Sequence, residues 1–172
     1  GSVISNGGTT GTTATLEVRG NGDSREFAGS IEDGADGGRT ALHLVDDSEH
    51  TLVLSGANTY SGGTTLDGGT TLELSSTGSL AFKAETGGVA NPIAGSGLAS
   101  LDGTIAIDYS EVGTPAVGDT WSFIQSAVSY GPNFAVQGFT ETPADSGLWI
   151  FNDGSNDFYF SELSGVSSYG VA

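Results

Sequence analysis

The chain has 172 residues with 29 Gly, 4 Pro and no Cys, and 21 acidic side chains against 4 basic ones (Arg19, Arg25, Arg39, Lys83) give a net charge of -17. That balance repels phosphate backbones and anionic lipid surfaces and so argues against nucleic-acid and membrane-surface partners; without thiols there is neither a disulfide framework nor a thiolate metal site. The 36% of hydrophobic residues suffice for one core, which suits a single domain of this length.

No run approaches the roughly 18 apolar residues of a membrane span, so no membrane insertion of this chain is expected. The chain opens on Gly1-Ser2 rather than Met, which reads as a processed terminus.

Helical periodicity is nearly absent and period-2 alternation is nearly continuous. Thr15-Leu16-Glu17-Val18-Arg19 points Leu16 and Val18 one way and the charges the other, and Ala41-Leu42-His43-Leu44-Val45 repeats the pattern. The same alternation predicts strands over 51–54, 64–66, 71–74, 79–82, 104–108, 120–124, 148–151 and 157–160. Asn21-Gly22, Asp33-Gly34, Asp67-Gly68-Gly69, Asp102-Gly103 and Asp153-Gly154 separate them, and dipeptides of this kind are expected where the backbone needs positive φ.

The interval between strands discriminates among all-β folds. Leu52 and Leu54 return as Leu72 and Leu74, 20 residues on, about one coil of a β-solenoid. In such a fold inward side chains pile into apolar columns while Thr and Ser ladder the surface. Elsewhere the interval is irregular. After about residue 110 the large aromatics concentrate (Trp121, Phe123, Phe134, Phe139, Trp149, Phe151, Phe158, Phe160). One domain is therefore expected: solenoid coils over 1–110, with the repeat at 50–74, and an aromatic-rich terminal coil or cap over 111–172 that covers the last cross-section.

The stretch from His50 to Leu74 contains Ser55-Gly56-Ala57-Asn58-Thr59-Tyr60-Ser61-Gly62-Gly63-Thr64 followed by Gly69-Thr70-Thr71-Leu72. It closely resembles the autotransporter-associated β-strand repeat, also called the passenger-associated transport repeat. One departure is the extra residue at Thr70-Thr71, which is expected to form a small bulge. Upstream, Phe27-Ala28-Gly29-Ser30-Ile31-Glu32-Asp33-Gly34 resembles the family's lead-in, and Gly113 to Ile124 is more loosely similar to segments that follow such repeats. The resemblance covers about residues 26–76. It implies an all-β fold, a right-handed parallel β-helix (β-solenoid), in a secreted or cell-surface bacterial protein. In the family the repeat is a scaffold and secretion-assisting element with no catalytic residues to transfer.

The chemistry on offer is thin. His43 faces opposite Leu42 and Leu44 and reads as a solvent-side strand residue, and His50 reads as loop. Asp46-Asp47-Ser48-Glu49 and Asn152-Asp153-Gly154-Ser155-Asn156-Asp157 are oxygen-rich, yet neither fits a known Ca²⁺ spacing, so both read as polar turns. No cofactor is expected, Ca²⁺ being the one ion for which the sequence supplies ligands. There is no G-x-S-x-G elbow and no phosphate loop, and Tyr60 reads as packing on a turn rather than stacking on a sugar.

The leading expectation is a non-enzymatic extracellular structural protein that self-associates head to tail into a fibre. Its assembly edges are expected at Leu16 and Val18 on one end and at Phe158 and Phe160 on the other. The Gly- and Ser-rich ends, 2–13 and 161–172, are expected to fray unless a neighbouring subunit pairs with them. A monomeric adhesion or stalk module and a polysaccharide-binding or polysaccharide-cleaving β-helix are the alternatives.

Overall fold

The computed structural model describes residues 1–154 and 156–171, and no helix occurs among them. The strands follow one another around a triangular coil. The first turn is β1 (Val3–Ser5), β2 (Thr13–Arg19) and β3 (Ser24–Phe27), and the second is β4 (Ser30–Glu32), β5 (Arg39–Val45) and β6 (His50–Leu54). The third is β7 (Ala57–Asn58), β8 (Thr64–Leu66) and β9 (Thr70–Leu74). The fourth is β10 (Ser79–Glu85), extended by the hairpin strand β11 (Gly88–Val89), then β12 (Ile93–Gly95) and β13 (Leu98–Leu101). The fifth is β14 (Thr104–Glu111), a bridge at Ile124 and β16 (Ala127–Tyr130), with β15 (Thr120–Ser122) set aside from it. After β17 (Ala135–Val136) the chain leaves the coil for β18 (Thr140–Glu141), β19 (Leu148–Asn152), β20 (Asn156–Ser161) and β21 (Val166–Val171).

Parallel pairing stacks these turns into a β-solenoid of about five turns. On one face the register runs Leu52↔Leu72 and Leu54↔Leu74, so the 20-residue interval is one coil. Successive partners on that face, Ser24, Thr51, Thr71, Leu98 and Ala127, are 27, 20, 27 and 29 residues apart. The extra length lies outside the strands of this face. The segment between β4 and β5, the β10–β11 hairpin and the segment between β14 and β15 bulge from the other corners, which explains why no strict period runs through the sequence.

Alternation dictates the core. Leu42, Leu44, Leu54, Leu66, Leu72, Leu74, Leu80 and Ile105 are at most 1% exposed, and each such burial is worth roughly 2 kcal/mol. The columns remain in line because register errors of one residue would turn them all outward.

Two local expectations change. There is no bulge at Thr70-Thr71, since the ladder runs without a shift from His50↔Thr70 to Leu54↔Leu74. The additional residue is absorbed in the preceding turn, where Gly69 takes φ +79°. Nor does Gly103 follow Asp102 for positive φ. A Cβ there would lie 2.4 Å from Gly78 O, and one on Gly56 would lie 2.0 Å from Gly29 O. These glycines stack at one corner because adjacent coils approach too closely for any side chain.

The C-terminal cap is not another coil. It is an antiparallel sheet in the order β15-β21-β20-β19-β18. Both ends of the chain are paired internally rather than frayed: β1 lies in parallel on β4, and β21 lies between β15 and β20.

Candidate functional site

The polar residues of the repeat join coils to one another. Asn58 is 1% exposed and fully bonded: Ile31 N donates to its Oδ1 at 3.1 Å, while its Nδ2 donates to Gly56 O (2.9 Å) and Ser79 O (3.2 Å). One amide thus ties three successive turns. Asn91 repeats the device a coil later, donating to Tyr60 O and Ala81 O and accepting from Lys83 N at 2.7 Å. Asp33 of the lead-in accepts from Thr40 N at 2.8 Å, from Ser61 N at 3.0 Å and from the Ser61 hydroxyl. Tyr60 is buried against the turn, its hydroxyl 2.6 Å from Thr64 Oγ1, and burial pushes its phenol up to about 12. The sequence marks these residues only as a motif; the partners that tie coil to coil, Ile31 and Ser79 for Asn58, Tyr60 for Asn91 and Ser61 for Asp33, lie more than 20 residues away and leave no local signal.

Of the histidines, His43 faces outward as expected, with Nε2 3.1 Å from Asp67 Oδ1. The Asp67 carboxyl is lowered by that hydrogen bond and by the one from Asp46 N. His50 is not loop: it opens β6, is 6% exposed, and lies 2.8 Å through Nδ1 from Ser48 O. Its ring fills the space over Gly20, where any Cβ would fall 2.2 Å from it. The oxygen-rich turns bond within the protein. Asp47 meets Arg19 and Gly20 N, and Asn152 bonds Asp157 at 2.7 Å; Ser155 lies outside the described residues. Among the described residues no group of three or more His, Asp or Glu is placed to hold a metal ion, and no helix is long and apolar enough to cross a membrane.

Each of the four cations rests on a carboxylate: Arg19 on Glu17, Arg25 on Asp23, Arg39 on Glu85 and Lys83 on Glu111. Pairs this exposed add little stability, but they leave the basic groups already engaged.

The two ends of the solenoid are unlike. At the N-terminal end β1, β2 and β3 are each the last strand of their sheet. Leu16 and Val18 on β2 and Phe27 on β3 are half-buried, and Val3 is 59% exposed. Leu16 and Val18 therefore stand on a strand with one edge unpaired by its sheet. Arg25 stands in register with Leu52 and puts a charge at the end of that apolar column, which blunts β3 as a template.

The expected edge at Phe158 and Phe160 is not there. Both side chains are buried, at 8% and 0% exposure, and β20 is an inner strand between β21 and β19. Phe160 lies 6.0 Å from Phe134, which makes an edge contact with Trp149 at 5.8 Å. Trp149 donates its indole N–H to Glu162 at 2.8 Å. These aromatics close the coil from below, and the alternation of 157–160 reports burial within an antiparallel sheet instead of a free edge.

Comparison with known families matches residues 51–74 to the passenger-associated-transport-repeat. The chain thus carries that repeat, and the matched residues run from β6 through the third coil to β9, which lies in register on β6. No curated protein and no solved structure gives a significant match. Together the repeat and the solenoid fit a passenger-type module of an autotransporter.

Proposed function

We propose that this chain is a non-enzymatic, extracellular structural module of the passenger type that associates with a second copy of itself through the open rungs β1–β3. The observation that carries the reading is the inequality of the ends: three terminal strands with partly exposed Val3, Leu16, Val18 and Phe27 at one, and an aromatic cap at the other. An uncovered strand edge pairs readily with another chain. Because the cap occupies the opposite end, contact between two open ends, related by a two-fold axis, is favoured over head-to-tail stacking.

The non-enzymatic reading is supported by how the motif's polar groups are used. Asp33, Asn58 and Asn91 are spent on hydrogen bonds between coils, and the cations on carboxylates. Secretion or surface display is supported by the repeat itself.

Sedimentation velocity of the purified chain across a salt series tests the association. The net charge of -17 makes two copies repel, and repulsion is screened over about 10 Å at 0.1 M salt but reaches about 30 Å at 0.01 M. Dimers that strengthen with salt are expected. A monomer boundary at every concentration and salt would remove self-association and leave the solenoid module.

A further inference from the structure

Strand β14 runs for eight residues, yet β17 pairs with only its first two, at Thr104↔Ala135 and Ile105↔Val136. Past Val136 the chain swings off through Gln137 and Gly138, at φ +79°, toward the cap. The space it vacates is a cleft of about 470 Å³ bordered by Ala106, Ile107, Asp108 and Tyr109 of β14 and by Phe139 and Phe151 across from them. Side chains of a strand alternate between two faces, so a cleft that touches four consecutive residues meets the strand's backbone edge. The hydrogen-bond parity agrees. Ala135 N donates to Gly103 O and Gln137 N to Ile105 O, and the same alternation turns the peptide groups of Ile107 toward the cleft.

We propose that this cleft receives an extended peptide, added as a parallel or antiparallel strand to β14 and carrying alternate apolar residues with a Lys or Arg beside Asp108. Strand addition draws its hydrogen bonds from the exposed edge and its selectivity from pockets for every second side chain. Phe139 and Phe151, 5.6 Å apart in a tilted pair, with Ile107, supply such a pocket. Asp108 is exposed, accepts from Ser110 N at 2.8 Å, and is held ionised by that bond; it lies on a protein of net charge -17. A cationic strand is therefore attracted and an acidic one repelled. A neutral glycan would need several converging polar side chains, and the lining, mostly Ala, Ile, Phe and Gly, offers three polar ones, Asp108, Tyr109 and Gln137. The site lies away from the open end and does not depend on self-association.

The test is fluorescence anisotropy of a fluorescein-labelled Lys-Val-Thr-Val-Lys-Val peptide titrated with the full chain. Saturable binding is expected. N-methylation of alternate peptide bonds should weaken it about tenfold or more, because it removes backbone donors and keeps the side chains. Asp108→Lys should weaken it severalfold and flatten its salt dependence, while protection of the Ile107 amide from hydrogen exchange should appear with peptide and vanish with the N-methylated form. Absence of saturable binding overturns the proposal, as does equal binding of the N-methylated peptide. Binding of cellohexaose in place of the peptide overturns it too, by making the cleft a glycan site.

Discussion

The same inward columns of Leu, Ile and Phe reach both ends of the solenoid, and the ends treat them differently. At the C-terminal end Phe134 is covered by Phe160 and Trp149, and the chain changes from parallel coiling to an antiparallel sheet to do it. At the N-terminal end Leu16 and Val18 sit half in water on an edge strand, and only Arg25 guards the neighbouring column. A coil that stacks only on its neighbours has no intrinsic terminus. Closing it takes new topology, and leaving it open leaves a surface that another strand fits.

The sharpest way to break the closed end is Phe160→Asp. The ring is fully buried among Phe134 and its neighbours, so a carboxylate there has no partner and the core loses an aromatic. A loss of about 5 kcal/mol or more is expected, enough to unfold the cap. Urea denaturation monitored by tryptophan fluorescence, which reports Trp121 and Trp149, measures it. A midpoint unchanged from wild type would mean that the aromatic sheet does not close the coil.

Between the ends, the repeat coil depends on its polar ties. Asn58→Ala strips the partner from Ile31 N and both donors from Gly56 O and Ser79 O. Leaving such buried groups unpaired should cost about 3 kcal/mol, seen as a lower urea midpoint, whereas Asn58→Asp should keep one bond and lose the other two. A cost below about 0.5 kcal/mol for the alanine variant would show that the amide does not bind the turns together.

Tyr60 gives the same coil a pH signature. Its phenol is pushed up to about 12 by burial, against about 10 in the unfolded chain. Below pH 10 both states are neutral and stability is complete. As pH rises from 10 toward 12 the unfolded state ionises first, and about 3 kcal/mol is lost over that window. Tyr60→Phe should remove this share of the alkaline slope in a series of urea titrations, leaving that of Tyr130, which burial and Glu162 also raise. An identical slope in the variant would mean that Tyr60 is solvated.

How much of this was legible in the sequence follows from the range of the forces involved. Alternation is local, so the strands at Thr15–Arg19, Ala41–Val45 and Leu148–Phe151 could be read from their own residues. The interval from Leu52 to Leu72 disclosed the coil because one turn there has no insertion. Whether a strand lies parallel or antiparallel to its neighbour is not written in its alternation. Phe158 and Phe160 therefore looked like another exposed rung when they are the inside of the cap. The close approach of Gly56 to Gly29 and the bond of Asp33 to Ser61 join residues of adjacent coils, and no window of neighbouring residues displays them. The cleft beside β14 was invisible for a related reason, since it exists only because β17 stops two residues into a strand of eight.

The smallest expected effect on stability falls at the open end and is also the most informative. Val18→Asp places a charge on the edge strand β2, where the side chain already meets water. A partly exposed position lets the carboxylate stay solvated, so the urea midpoint should move by no more than about 1 kcal/mol. Association should respond far more. Two open ends brought together would bury this carboxylate against its own copy, and like charges at close range cost several kcal/mol in an interface. Dimers seen for the wild type by sedimentation velocity should therefore vanish in Val18→Asp, and Val18→Thr, which keeps the branched shape without the charge, should restore most of them. If the aspartate variant unfolds as Phe160→Asp does, the two ends are equally closed and the contrast between them fails. If it stays folded and dimerises undiminished, the end is open but another surface makes the contact.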